Sequence, residues 1–435
     1  MMKQCAFTCV VVIAILFNKV CSQPTNKGRF LIGSDPSATH FAEQKTDISA
    51  TLQDLIKTLS GEGGGKITIA QGEYYISRNI QIGTNVHIDG FGIKATKLQL
   101  VDFAPTFETY GMFQCVQSNN IVISNITLYG NKYHQNDDQA KYVSDATITD
   151  EWYGRYGLYF QGCNYITLDS ISVSDFQIHG IVVDGNDVSP STNIAIFNSF
   201  TSYNDFEGIL IDNTVNVSII NTTSKANGRT GYNFLTNTRN VVVDSSYSFK
   251  DGLTYPGGPG CGMHFRSVQY TKVQNITITN CTIVESKDVA ICLTKVRSVR
   301  IESNNLYARS CVEFKENSDI TVIKNLCVNP IVIRDIVAFS SIESIIIVDN
   351  TFGIGRYAKQ NAIGFEVVIG YSNAATRVIK EGVDAFPDIQ QSLDDIRING
   401  GGVLRFEAGT YILSSYIEVG SNTAIIGVGI NNTVL

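Results

Sequence analysis

The sequence predicts an all-β fold, a right-handed parallel β-helix with an N-terminal capping helix. Three observations carry this: a short motif recurring about once per coil, a second strand-like motif in the same cycles, and an amphipathic segment just ahead of them. The first motif is Asn-apolar-x-apolar-x-Asn/Asp/Ser-Ser/Thr. It appears as NIVISNIT at Asn120, YITLDSIS at Tyr165, NIAIFNSF at Asn193, NVSIINTT at Asn216, NVVVDSSY at Asn240, NITITNCT at Asn275, SVRIESNN at Ser298, DITVIKNL at Asp319 and SIIIVDNT at Ser344. The steps between copies are 45, 28, 23, 24, 35, 23, 21 and 25 residues. A period of this size marks a solenoid, whereas a β-sandwich would show turn signals every ~8–12 residues.

Along the chain, residues 1–22 read as a secretory signal peptide. Lys3 opens it, Cys5 to Phe17 is an apolar run, and Val20-Cys21-Ser22 supplies small residues for cleavage. The run is short for a membrane span, so the mature chain is expected to be soluble, secreted and extracellular. DISATLQDLIKTLS then places Leu52, Leu55, Ile56 and Leu59 on one helical face, suited to closing the open end of an apolar cylinder. GGGKITIAQGEYYIS begins the first coil. The 45-residue step leaves room for a loop around residues 131–152, and the 35-residue step carries another in LTYPGGPG.

The second strand of each coil reads YGLYFQG at Tyr156, HGIVVDG at His179, EGILIDN at Glu207, TGYNFLT at Thr230, CGMHFRS at Cys261, VAICLTK at Val289 and SCVEFKE at Ser310. Strand alternation sends the residues one and three after the Gly inward, where they stack into a shared core that no single coil could bury alone. The opening GEGGGKITIAQGEYYIS at Gly61 recurs as INGGGVLRFEAGTYILS at Ile398, offset by 337 residues, with Asp47, Gln53 and Tyr74 matching Asp384, Gln390 and Tyr411. Residues 23–366 are therefore expected to form one β-helix unit, and 367–435 the truncated start of a second tandem unit. A half-unit packed on the first helix is the alternative.

With 33 basic and 40 acidic residues, the net charge of −7 argues against a nucleic-acid partner, though it permits a local basic groove. Seven of the ten cysteines lie beyond the signal segment at spacings that fit no zinc motif, so buried thiols with one or two bridges are expected. Sequons stand at Asn125, Asn216, Asn221, Asn275, Asn280 and Asn431. The first five fall where the repeat wants Asn anyway.

The outward positions form columns. Tyr156, His179, Glu207 and Thr230 precede the Gly. Tyr159, Val182, Leu210, Asn233, His264, Cys292 and Glu313 follow it by two; Gln161, Asp184, Asp212, Leu235, Arg266, Thr294 and Lys315 follow it by four. A solvent-facing sheet with this chemistry suits a sugar polymer: aromatic faces stack on rings, Arg pairs with carboxylates, and His or Tyr moves protons. Glu207 is placed to orient and charge His179. The Asp184–Asp212 pair suits acid–base work or a calcium ion, although such pairs are more commonly like-charged surface neighbours. No motif demands a cofactor.

In order and spacing, GGGKITIAQGEYYIS, NVHIDGFG, ITLYGN, IHGIVVDGN, NDFEGILIDN and NGRTGYNFLTNTRNVVV resemble the catalytic module of secreted mannuronan C5-epimerases, within the pectate-lyase-like β-helix superfamily. The resemblance runs from about Ile48 to Asn329. It implies abstraction of the proton at C5 of a uronate, with the proton returned from the other face or, in related lyases, the C4 oxygen eliminated. Arg229 matches the family's Arg, Glu207 its Asp, and Arg155 a Lys near the first strand. His179 stands for the family's Tyr, Val182 for its Asp, Asp184 for its His, and Thr230 for a second His.

The candidate catalytic residues are His179, Tyr156, Glu207, Asp184 and Arg229. Candidate substrate contacts are Arg155, Tyr159, Asp212, Asn233, His264 and Arg266. The expected substrate is an alginate-like or other acidic polysaccharide, with a catalytically silent glycan-binding or structural relative as the alternative. A polygalacturonase is disfavoured because clustered Asp pairs and a Gly-His-Gly turn are missing.

Overall fold

A computed structural model describes residues 29–33, 40–41, 45–104, 111–135, 156–185, 189–252, 260–268, 271–315, 318–327, 331–333, 345–348, 350–352, 366–370, 377–378, 383–398, 401–420, 423–427 and 433–434. The signal segment, Asn431 and most of both loops lie outside these residues. The chain winds as a right-handed parallel β-helix. One sheet crosses every coil once: β1 (Ile80–Gln81), β2 (Gly111–Val116), β3 (Tyr156–Gln161), β4 (Ile181–Asp184), β5 (Ile209–Asp212), β6 (Tyr232–Leu235), β7 (Cys261–Arg266), β8 (Val289–Thr294), β9 (Ser310–Lys315), β10 (Ile331–Ile333) and β11 (Ile417–Val419). Pairing from β1 to β10 is parallel, each coil stacking on the one before.

The core is the predicted apolar stack. Leu158, Phe160, Ile181, Val183, Ile209, Ile211, Tyr232, Phe234, Met263 and Phe265 are all buried, and Phe234 lies flat on Phe265 with ring centroids 4.4 Å apart. Most of the remaining strands form a second, larger sheet whose repeat motif begins and ends on left-handed residues, and Gly409–Thr410 pairs with Thr433–Val434 in a separate two-stranded sheet. Asn120, Tyr165, Asn193, Asn216, Asn240, Asn275, Ser298 and Asp319 all have φ between 52° and 61°. Asn tolerates this region better than most residues, which explains its recurrence. Its amides also ladder between coils: Asn216 Nδ2 donates to Asn193 Oδ1 at 3.0 Å and Asn240 Nδ2 to Asn216 Oδ1 at 2.9 Å. The Gly just before β4 is required by space. A Cβ on Gly180 would meet the Gly208 carbonyl oxygen and Asn204 Nδ2, each at 2.7 Å.

Helix α1 (Ser49–Gly61) buries Leu52, Leu55, Ile56 and Leu59, as its periodicity predicts. Asp47 fixes it to the first coil, accepting from Ser49 N at 2.9 Å and Ser77 Oγ at 2.5 Å. Gln53 pairs with the backbone of Gln81 in both directions and so occupies the sheet edge. The 337-residue offset repeats the device. Helix α2 (Phe386–Ile398) is anchored by Asp384 to Phe386 N and Ser414, and Gln390 pairs with the backbone of Glu418. This C-terminal copy pairs with strands of the preceding β-helix unit. β11 pairs antiparallel with β10, and residues Thr423–Ile426 pair antiparallel with Ile345–Val348, so the copy meets the last described coils end on.

Among the described residues one disulfide, Cys261–Cys292, ties β7 to β8, while Cys115, Cys163, Cys281, Cys311 and Cys327 are buried free thiols. Among the described residues, no helix is long and apolar enough to cross a membrane.

Candidate active site

Register brings the predicted columns together. Tyr159, Val182, Leu210, Asn233, His264, Cys292 and Glu313 are direct neighbours on successive strands, as are Gln161, Asp184, Asp212, Leu235, Arg266, Thr294 and Lys315. Arg155 lies outside the described residues.

One expectation is corrected. The face is not an open polar surface: Tyr156, Tyr159, His179, Glu207, Thr230, Asn233 and His264 are all buried. Two forces draw them in. Tyr156, Tyr159 and Val182 form an apolar patch with Ile178 and Leu210, and a charged cluster closes over Glu207.

Glu207 sits at that cluster's centre, 0 % exposed. Its Oε2 lies 2.8 Å from His179 Nδ1, and its Oε1 lies 3.2 Å from Arg229 Nη1. Asn233 Nδ2 donates to Oε1 at 3.1 Å. The Glu207 backbone N–H also approaches His179 Nδ1, but at 3.4 Å. The shorter carboxylate contact decides the tautomer, since two lone pairs at 2.8 Å would repel; Nδ1 therefore carries a proton and donates to Oε2. In the neutral ring Nε2 is then the nitrogen whose lone pair can accept a proton, and once it does so the ring becomes the cation that Glu207 faces. Burial alone would raise the Glu207 carboxyl, yet the His179 and Arg229 charges, with hydrogen bonds from His179 and Asn233, outweigh it and hold the group at about 2. Tyr156 flanks His179 with ring centroids 5.1 Å apart, and Phe206 meets its edge at 5.5 Å.

At the opposite edge of the same strands, Asp184 and Asp212 stand side by side. Tyr159 Oη donates to Asp184 Oδ2 at 3.0 Å. Burial pushes the Asp184 carboxyl up to about 6; the Tyr159 hydrogen bond opposes this and the Asp212 charge adds to it. The two carboxylates alone would supply only part of the about six to eight oxygens that calcium takes. No group of three or more metal-ligating side chains occurs among the described residues.

Two coils further on, burial, followed by the Arg266 and Arg229 charges, lowers His264 to about 4, so its ring is neutral near pH 7. His264 Nδ1, Asn233 Oδ1 and Thr230 Oγ1 are buried with no hydrogen-bond partner among the described residues. Unmade buried hydrogen bonds cost ~1–3 kcal/mol each, so their clustering along one groove stands out.

Sequence reasoning missed the lining from Ile178 and Phe206, and the ladder beneath the floor. Asn204 Nδ2 donates to Asn227 Oδ1 at 2.9 Å, and Asn227 Nδ2 to Asp251 Oδ1 at 3.0 Å. The signal was present in Asn204 and Asn227, each four residues before a groove Gly.

Fold and groove together define a right-handed parallel β-helix whose groove holds a buried charged cluster. By sequence, the chain is similar to mannuronan C5-epimerase AlgE1 of Azotobacter vinelandii, 26 % identical over 218 residues, which is 48 % of this chain and 14 % of that protein. It is also similar to alginate lyase 7 of Azotobacter vinelandii, 24 % identical over 208 residues, 46 % of this chain and 23 % of that one. The matched region thus spans a minor part of these relatives' length. Among solved structures, the endo-xylogalacturonan hydrolase from Aspergillus tubingensis superposes with a TM-score of 0.51 at 14 % identity, covering 76 % of this chain and 89 % of its own. That likeness supports the fold alone. No family model matches the chain.

Proposed function

We propose that this protein acts on a uronic-acid polysaccharide by abstracting the proton at C5, in the manner of an epimerase or a lyase. The observation that carries the reading is the buried Glu207 with His179 on one oxygen and Arg229 on the other. Glu207 holds the Nδ1 proton of His179, and Nε2 takes the proton from C5. Arg229, with 30 % of its side chain exposed, and Arg155 offset the uronate carboxylate and the charge that develops on it. Tyr156 or Tyr159 supplies the acid. Return of a proton to C5 from the opposite face gives the epimer, while departure of the C4 oxygen, protonated by the Tyr, gives an unsaturated uronate. The similarity to mannuronan epimerases and an alginate lyase supports both routes.

The test is incubation with polymannuronate and other polyuronates in deuterated water. Deuterium at C5, or absorbance from an unsaturated uronate, is expected from the parent protein and lost in His179→Ala. Neither signal from any polyuronate would remove both activities.

A second reading is favoured by the close packing of His179 and Tyr156, 8 % and 6 % exposed. The groove would then bind an extracellular glycan without turning it over. Binding that persists in His179→Ala, with turnover in neither form, would select it.

A further inference from the structure

Charge is divided along this groove rather than spread evenly. Gln161, Asp184, Asp212, Leu235, Arg266 and Thr294 occupy one in-register row at the C-terminal ends of the strands. Two carboxylates stand on β4 and β5. The exposed Arg266 guanidinium stands on β7, about 10 Å beyond Asp212 at ~4.8 Å per strand. The middle row changes at the same point. Tyr159, Val182 and Leu210 are part of the apolar patch beside the carboxylates. Asn233 and His264 occupy the basic half, 2 % and 5 % exposed, each with a side-chain atom lacking a partner among the described residues.

A uniformly charged polyuronate laid across these strands would bring a carboxylate against Asp184 and Asp212, in a partly buried setting where like charges repel strongly. An uncharged sugar meets no such opposition and finds Tyr159, Val182 and Leu210 as an apolar floor. On the other half, Arg266 and Arg229 suit a carboxylate, while Asn233 Oδ1 and Thr230 Oγ1 are acceptors awaiting donors.

Resting on the reading of the groove as a uronate site, we infer that it takes a sparsely charged polysaccharide: a uronate seats over Arg229 and Arg266, and uncharged sugars lie over Asp184 and Asp212. This makes Asp184 and Asp212 specificity determinants that disfavour a homopolymer of uronates.

The experiment measures binding of the full chain, in chelator so that no divalent cation bridges the carboxylates. The probes are polymannuronate and deacylated gellan, whose repeat carries one glucuronate and three uncharged sugars. Gellan is expected to bind at least about tenfold more tightly. The Asp184→Asn/Asp212→Asn double variant should raise polymannuronate affinity about tenfold and so narrow its gap to gellan, while Arg266→Gln weakens both. Wild-type selectivity alone decides the matter should the double variant fail to fold. Polymannuronate binding as tightly as gellan, with no response to the double variant, would overturn the inference and leave the uronate reading standing. Binding of neither polymer would overturn both.

Discussion

Replacing Glu207 with Gln keeps the side chain's shape and removes its charge. Three partners feel this: His179 Nδ1 at 2.8 Å, Arg229 Nη1 at 3.2 Å and Asn233 Nδ2 at 3.1 Å. The gap between the ordinary value of 4.5 and about 2 for the Glu207 carboxyl corresponds to about 3 kcal/mol. It is the net preference of the folded site for the ionised form, after burial has been subtracted. A Glu depressed in the folded state contributes stability that is present above its unfolded value and lost as pH falls toward the folded one. Glu207→Gln should therefore lower the unfolding free energy by about 3 kcal/mol at pH 7, in line with breaking a buried ion pair. The difference should shrink to about 1 kcal/mol at pH 3, where the unfolded chain is already protonated at this position. The assay is urea unfolding of parent and variant followed by circular dichroism at both pH values. A difference that is the same at pH 7 and pH 3, or absent at pH 7, would refute the charge cluster. The variant should also lose turnover. An amide NH₂ facing Nδ1 forces that nitrogen to accept, which moves the imidazole proton to Nε2 and removes the base.

Three further outcomes are expected. Asp184→Asn should stabilise the protein by about 1–2 kcal/mol at pH 7 and by nothing near pH 3.5, because a carboxyl raised to about 6 opposes folding once ionised; equal effects at both values would contradict the raised group. Phe234→Ala, which empties a 0 % exposed site and unstacks Phe265, should cost ~3–5 kcal/mol in denaturant unfolding. Cys261→Ser/Cys292→Ser should cost ~2–4 kcal/mol, and reduction of the parent should match it; an unchanged urea midpoint after reduction would speak against the bridge between β7 and β8.

Much of this architecture was legible because a solenoid repeats its local rules. Once one coil is aligned on the next, register follows by counting, so Tyr159 to Glu313 and Gln161 to Lys315 fall into rows without any knowledge of distant contacts. The α1 face and the Asn positions were equally local, the one set by helical spacing and the other by left-handed backbone. Burial was not legible. Tyr156, His179 and Glu207 sit at outward positions of the strand, and alternation assigns them to solvent; ring packing and the Glu207 charge cluster decide otherwise, and these depend on residues from four different coils. The ladder under the floor was hidden because its third member breaks the spacing: Asn204 and Asn227 stand four residues before their groove Gly, whereas a loop separates Asp251 from Gly262.

The end-on meeting of β10 with β11 also sets up a competition. In the N-terminal copy, the strands equivalent to β11 and Thr423–Ile426 present their free backbone rows to the coil that follows them in the chain. In the C-terminal copy the same rows are occupied by β10 and Ile345–Val348, running the opposite way. A peptide N–H donates to one carbonyl row at a time, so this docking and the winding of any further coil onto the copy are mutually exclusive. Growth of the solenoid at that rim would first require the two copies to let go of each other.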